Sequence, residues 1–123
     1  MIAIDYPTIT VGERTLVVRY SLASQILMRR RGIDPRALET LTTPENPKQA
    51  ENWLTIFGCM VAENFCTDTA FSLNDAPTAD YWAAQLSPLQ FVEIPLVCNE
   101  AIKKVAEALK AAAAPPKPIS AVS

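Results

Sequence analysis

The stretch TITVGERTLVVRYSLASQILMRRRGID, residues 8–34, decides the fold of this chain. Its first part alternates apolar and polar residues on both sides of Gly12-Glu13, which predicts a β-hairpin over residues 7–20. Pro7 limits the first strand to an edge position, because proline has no backbone N–H to donate to a neighbouring strand. An isolated two-stranded hairpin is only marginally stable in water. The hairpin must therefore pack on helices or on another chain.

The second part of this stretch predicts a helix over residues 22–31. Ser21 is a favoured N-cap residue, and apolar residues follow it at helical spacing. Gly32 stands where a left-handed residue closes a helix, directly after three arginines that suit the negative end of the helix dipole. Both ends of the helix are thus specified by local sequence.

Similar signals predict further helices downstream. Residues 48–65 carry a wide apolar stripe, which is typical of an amphipathic helix, and Ser87-Pro88 combines an N-cap residue with proline at the first helical position. Pro95 predicts a kink or a break in the last helix, since proline removes a backbone hydrogen bond. The helices are expected at about residues 22–31, 35–41, 48–65, 78–86 and 88–113.

These elements define the expected fold class as α+β, with an N-terminal β-hairpin packed on a mainly helical domain of about four helices. The chain has 123 residues, which suits a single core. We therefore expect one domain over residues 1–113. The proline-rich end predicts a flexible tail over residues 114–123.

The composition favours binding of other proteins. Hydrophobic residues make up 50% of the chain and charged residues only 20%, so some apolar surface should be left for a partner. No apolar run is long enough for a membrane span, and no secretory signal is visible, so we expect a cytoplasmic protein that does not bind membranes. The three cysteines, Cys59, Cys66 and Cys98, are expected to be reduced and mostly buried.

The charges are unevenly distributed along the chain. Residues 1–36 hold six arginines against three acids, residues 37–102 hold one lysine against nine acids, and residues 103–123 hold four lysines against one acid. Such asymmetry can orient a partner or stack identical subunits head to tail. A solvated surface with random clustering of charge explains it equally well.

The sequence argues against an enzyme. It contains no histidine, and its three glycines are too far apart to cradle a phosphate, so we expect no catalytic residues, no cofactor and no metal. Cys59 and Cys66 have the wrong spacing for a zinc knuckle and are better explained as core residues. The run of arginines at residues 29–31 could bind phosphates, but it also suits the helix C-terminus, and the acidic overall balance argues against nucleic-acid binding.

Large apolar side chains in the helical half are the candidate contacts for a partner protein. Two faces stand out, one on the helix predicted at 48–65 and one on the helix predicted at 88–113. Each position could instead belong to the core, and the sequence leaves that alternative open. The candidates are Trp53, Phe57, Met60, Val61, Trp82, Phe91, Ile94 and Ile102.

The strand TLVVRYSL runs directly into the helix ASQILMRRRGID, whose turn Arg31-Gly32-Ile33-Asp34 ends the motif. Over residues 8–34 this arrangement resembles the tail assembly chaperones of long-tailed bacteriophages and related phage-like particles. Beyond residue 34 the resemblance rests on helix content and size alone. The family has no established catalytic site.

The resemblance implies that the chain coats a long helical tape measure protein before the tail tube forms, and that it self-associates along this client. It also implies a longer form made by frameshifting near the segment KKVAEALKAAAAPPKP, residues 103–118. A helix-binding chaperone needs apolar grooves, many copies and no nucleotide site, which agrees with the composition. Two other hypotheses remain: a structural connector or tail-completion protein that closes into a ring, and a small nucleic-acid-associated regulator that uses the arginine run.

Overall fold

The computed structural model describes residues 4–65 and 72–113. An antiparallel two-stranded hairpin precedes a mainly helical body, which confirms the predicted α+β class. The predicted tail at 114–123 lies outside the described residues. The elements are β1 (Thr8–Val11), β2 (Arg14–Val17), α1 (Leu22–Arg30), α2 (Leu38–Leu41), α3 (Gln49–Met60), α4 (Ala79–Gln85), α5 (Pro88–Phe91) and α6 (Glu93–Ala113), with short 3-10 turns at Pro35–Ala37, Ala62–Phe65 and Leu73–Asp75.

The hairpin turns at Gly12-Glu13, as predicted. Gly12 has a φ of 64°, a left-handed value that glycine adopts without steric cost. Val11 then pairs with Arg14, and Ile9 pairs with Leu16. The apolar side chains alternate toward one face of the hairpin, and this face is buried against the helices.

Helix α1 has the two ends that the sequence predicts. The Ser21 side chain accepts a hydrogen bond from the Ser24 backbone N–H, and the Ser24 side chain accepts one from the Ser21 N–H, which forms a capping box. At the other end Gly32 has a φ of 82°, and the Ile33 N–H donates to the Met28 carbonyl at 2.8 Å. This is a Schellman motif, and Ile33 is buried beneath it.

Helix α3 is shorter than the predicted helix 48–65. It ends at Met60, and residues 62–65 form a 3-10 turn instead. The Val61 carbonyl accepts hydrogen bonds from the backbone N–H of Asn64 at 3.0 Å and from the side-chain amide of Asn64 at 2.9 Å. A longer helix would need that carbonyl for an i to i+4 bond. The prediction was therefore wrong over the last turn.

The last helical segment is interrupted, as Pro95 predicts. Helix α5 ends at Phe91, and α6 begins at Glu93. The Phe91 carbonyl is the group that the backbone N–H of residue 95 would bond in a continuous helix, and proline has no such N–H. Ser87 caps α5 through a capping box with Gln90, again as the sequence predicts for the N-cap.

The core lies between the hairpin and the helices, with α3 at its centre. Helix α3 packs against α1, α4 and α6. Buried residues of α3, of the hairpin and of α6 belong to one hydrophobic cluster. The large side chains that are almost fully buried are Leu16, Val18, Leu27, Met28, Ile56, Phe57, Met60, Val61 and Ile94.

Candidate functional site

Most of the predicted contact residues belong to the core. Six of the eight candidates are buried. Trp53 is 8% exposed and Trp82 is 2% exposed, and Phe57, Met60, Val61 and Ile94 are less exposed than Trp82. Only two of the eight candidates are partly buried, Phe91 and Ile102, and both pack against the edge of the core. The six buried candidates are Trp53, Phe57, Met60, Val61, Trp82 and Ile94.

Trp82 is held in place by an aromatic cluster. Its ring centroid lies 5.1 Å from that of Phe57, 4.9 Å from that of Tyr81 and 6.0 Å from that of Phe65, each in an edge-to-face arrangement. Gly58 makes room for it, since a Cβ at this position would lie 3.2 Å from the indole ring. The prediction of Trp82 as an exposed anchor therefore does not hold in the folded chain.

A different set of apolar side chains lies at the surface of α5 and α6. Leu89 is 83% exposed, Val92 61% and Leu96 68%. Their spacing of three and four residues places them on one side of the helical segment. At 3.6 residues per turn, this side is opposite to the one that buries Ile94 and Cys98. We call Leu89, Val92 and Leu96 the outer row.

The helical segment around α5 and α6 is thus apolar on two opposite sides. A surface helix of a single globular domain needs only one apolar stripe. Single exposed apolar residues are common on protein surfaces, but three in one helical row are a candidate binding surface. The sequence analysis did not predict the outer row. The signal for it in the sequence is the spacing of three and four residues between Leu89, Val92 and Leu96.

A shallow groove lies next to the outer row, and Phe91 contributes to it. It is lined mainly by apolar groups, and its volume is about 330 Å³. The groove separates the start of α5 from α3 and α4. Its lining consists of Ala50, Leu54, Ala83, Leu86, Ser87, Pro88 and Phe91.

Helix α6 also extends past the body of the protein. Cys98, Ile102, Val105 and Leu109 follow one another on α6 at spacings of four, three and four residues; this row begins fully buried at Cys98 and ends at Leu109, which is 65% exposed. Its intermediate members are partly buried. The end of α6 therefore offers a second, smaller apolar area, aligned with the core-facing side of the helix.

The hairpin presents two edges with different surroundings. On the β2 side, the Asn64 side chain accepts a hydrogen bond from the Val17 N–H at 2.9 Å and donates one to the Val17 carbonyl at 2.7 Å. The Arg19 N–H donates to the Met60 carbonyl at 2.8 Å. On the β1 side, a groove of about 490 Å³ separates the strand from α6.

Some ionisable groups of the described residues make structural contacts within the chain. Glu63 accepts a hydrogen bond from the Ser21 hydroxyl at 2.8 Å and lies 3.6 Å from the Arg19 guanidinium. Burial raises the pKa of the Cys59 thiol to about 11 and that of Cys98 still further, so both are poor nucleophiles at neutral pH. Within residues 4–65 and 72–113, no three histidine, cysteine or acidic residues are grouped as metal ligands.

Two arginines of the basic run are used by the fold. Arg31 donates to the carbonyls of Ala76 at 2.7 Å and Pro77 at 3.0 Å, and it thereby fixes the segment that leads into α4. Arg30 donates to the Asn74 side chain at 3.3 Å. The run is therefore not a free phosphate-binding cluster, which weakens the hypothesis of a nucleic-acid-associated regulator.

None of the helices in the described part of the chain combines the length and the apolar character needed to cross a membrane. Comparisons with protein-family models, curated proteins and solved structures give no match to this chain.

Proposed function

We propose that this protein is a non-catalytic assembly chaperone that binds an amphipathic helical client, and that this client is the tape measure protein of a phage or phage-like particle. The proposed site of action is the bacterial host cytoplasm. The observation that carries the proposal is the outer row, three large apolar side chains exposed on α5, at its junction with α6 and on α6. The choice of client rests on the resemblance of residues 8–34 to tail assembly chaperones.

The dimensions of the outer row suit a helix as the client. Leu89 and Leu96 are seven residues apart, which is about two helical turns, or roughly 10 Å along the axis. An amphipathic helix presents apolar residues with the same period, so two such stripes can pack along their length. A tape measure helix that waits for its tail tube exposes a stripe of this kind and would aggregate without cover.

The expected affinity of one subunit is low. Complete burial of a leucine or valine side chain stabilises by about 1.5–3 kcal/mol, and the row contributes three partly exposed side chains. Ordering of the two partners offsets part of this gain. Tight binding to a long client therefore requires many copies side by side, whose effective concentration raises the overall affinity. Self-association along the client follows from this requirement.

The double variant Leu89→Ser/Val92→Ser tests the proposal, with Leu22→Ser as the matched control. Leu22 is 73% exposed on α1, outside the outer row, so its replacement removes one comparably exposed leucine elsewhere. Because all three side chains are exposed, the free energy of unfolding of each variant should lie within about 0.5 kcal/mol of that of the parent protein. The assay is co-elution with a tape measure fragment, together with the fraction of that fragment that stays in solution.

We expect the parent protein and Leu22→Ser to co-elute with the fragment and to keep it in solution, and the double variant to do neither. If the parent protein does not change the solubility of the fragment, the proposed client is wrong. Equal activity of the double variant would instead show that the outer row is not the contact. A fixed ring mass without the fragment would favour a connector or tail-completion protein.

A further inference from the structure

The two edges of the hairpin differ in a way that points to a second binding site. An unpaired strand edge exposes backbone N–H and C=O groups that can pair with another chain, and proteins usually cover or block such edges. Here the Asn64 side chain engages the outward N–H and carbonyl of Val17 in β2, and the Met60 carbonyl accepts the N–H of Arg19 just beyond that strand. Among the described residues, β1 has no second neighbouring strand.

The pairing register shows which groups of β1 point outward. The Val18 N–H donates to the Pro7 carbonyl at 2.9 Å, and Ile9 pairs with Leu16. Because backbone groups along an antiparallel strand point alternately toward and away from the partner, those of Thr8 and Thr10 point away from β2. Two N–H donors and two carbonyl acceptors are thus available on this edge.

The groove along this edge has its own chemistry. Residues 7–10 form one wall, and α6 forms the other with Leu96 and Val97 between Glu93 and Glu100. The lining contains two carboxylates and no basic side chain. The two glutamates are seven residues apart on α6, roughly 10 Å along the axis, which four residues of an extended strand also span.

We propose that the β1 edge binds an extended, basic segment of a partner protein by strand addition. The backbone of the segment pairs with the peptide groups of Thr8 and Thr10. Of its side chains, those at every second position face α6, where an apolar one contacts Leu96 and Val97 and a lysine or arginine on either side of it faces Glu93 and Glu100. This site shares Leu96 with the outer row of the proposed function, whereas Leu89 and Val92 do not line the groove.

The test uses the full chain and two synthetic peptides, Ac-TKTVTKT-amide and its acidic counterpart Ac-TETVTET-amide, in which the charged residues and the central valine share one face of the strand. Binding is followed by NMR, and amide hydrogen exchange is measured at Thr8 and Thr10. We expect the basic peptide to protect both amides from exchange and to bind more weakly as salt increases. The acidic peptide should protect neither.

Two pairs of variants separate the backbone from the charges. Thr10→Pro removes an N–H that takes no part in the β1–β2 pairing, so the hairpin should remain while protection of Thr8 by the peptide is lost. Thr10→Val keeps the N–H and is its control. Glu93→Gln/Glu100→Gln should weaken binding of the basic peptide roughly three- to tenfold, whereas Glu107→Gln, outside the groove, should not.

Three outcomes would overturn the inference. Equal binding of the two peptides would show that Glu93 and Glu100 do not select a basic segment. Binding without protection of the Thr8 and Thr10 amides would show that the peptide does not add as a strand to β1. Protection that rises with protein concentration in the absence of peptide would show that a second copy of this chain occupies the edge. The variant Leu89→Ser/Val92→Ser should bind the basic peptide normally, so failure of the helical client leaves this test intact.

Discussion

Replacement of Asn64 by alanine should destabilise the protein far more than its position in a surface turn suggests. The Asn64 side chain makes three hydrogen bonds to backbone groups, two with Val17 at 2.9 and 2.7 Å and one with the Val61 carbonyl at 2.9 Å. Each such bond stabilises by about 0.5–1.5 kcal/mol, and part-buried groups of Val17 would lose their partner. We therefore expect Asn64→Ala to lower the free energy of unfolding by about 2–4 kcal/mol.

The matched control is Asn52→Ala. Asn52 is also an asparagine in the helical half, but its side chain donates a single hydrogen bond, to the Leu41 carbonyl at 2.8 Å. Its replacement should cost about 1 kcal/mol. Urea unfolding followed by tryptophan fluorescence measures both variants, because Trp53 and Trp82 are buried in the folded chain.

Asn64→Asp separates the acceptor role of the side chain from its donor role. The aspartate side chain can still accept a hydrogen bond from the Val17 N–H. Its carboxylate would, however, face the carbonyls of Val17 and Val61, to which the Asn64 amide donates hydrogen bonds. This should raise the pKa of the new carboxyl and make the variant less stable at pH 7 than at pH 4. A loss for Asn64→Ala no larger than that for Asn52→Ala would refute the assigned role of Asn64.

Two further predictions concern groups in the helical body. Arg31→Ala should lower the free energy of unfolding by about 2–3 kcal/mol in the same urea assay, since it removes charge-assisted hydrogen bonds to the carbonyls of Ala76 and Pro77. The control Arg29→Ala, at an exposed position, should change the free energy of unfolding by less than about 0.5 kcal/mol. In a Cys66→Ser background, the folded protein should not react with a thiol reagent at pH 8, whereas the urea-unfolded protein should expose two thiols. Burial raises the pKa of Cys59 from 9.0 to about 11, so the thiol loses its proton at a lower pH in the unfolded state than in the folded state. The free energy of unfolding should therefore fall as the pH rises above about 9. Rapid reaction of the folded chain with the thiol reagent, or a free energy of unfolding that does not change at alkaline pH, would contradict this.

Local signals in the sequence determined much of the secondary structure. Ser21 and Gly32 bound α1, Ser87 starts α5, and Pro95 interrupts the helical segment that contains it. Each of these residues acts on backbone groups within about one helical turn of itself. Reading the neighbouring residues was therefore sufficient to predict them, and the α+β class followed from the order of the elements.

Contacts between distant parts of the chain decided what the sequence analysis missed. Helix α3 ends early because Asn64 pairs with Val17, 47 residues away, and no local pattern records that pairing. The same contact engages the outward groups of Val17 in β2, whereas β1 has no second neighbouring strand among the described residues.

The sequence by itself determined where the helices begin and break, and that the chain has a high content of apolar side chains. Only the tertiary structure decided which of these apolar side chains are buried. The segment around α6 has apolar residues on two opposite sides, and α3 can pack against only one of them. That side includes Ile94 and Cys98, which leaves Leu89, Val92 and Leu96 at the surface, because burial is a property of the packed partners and not of the helix alone.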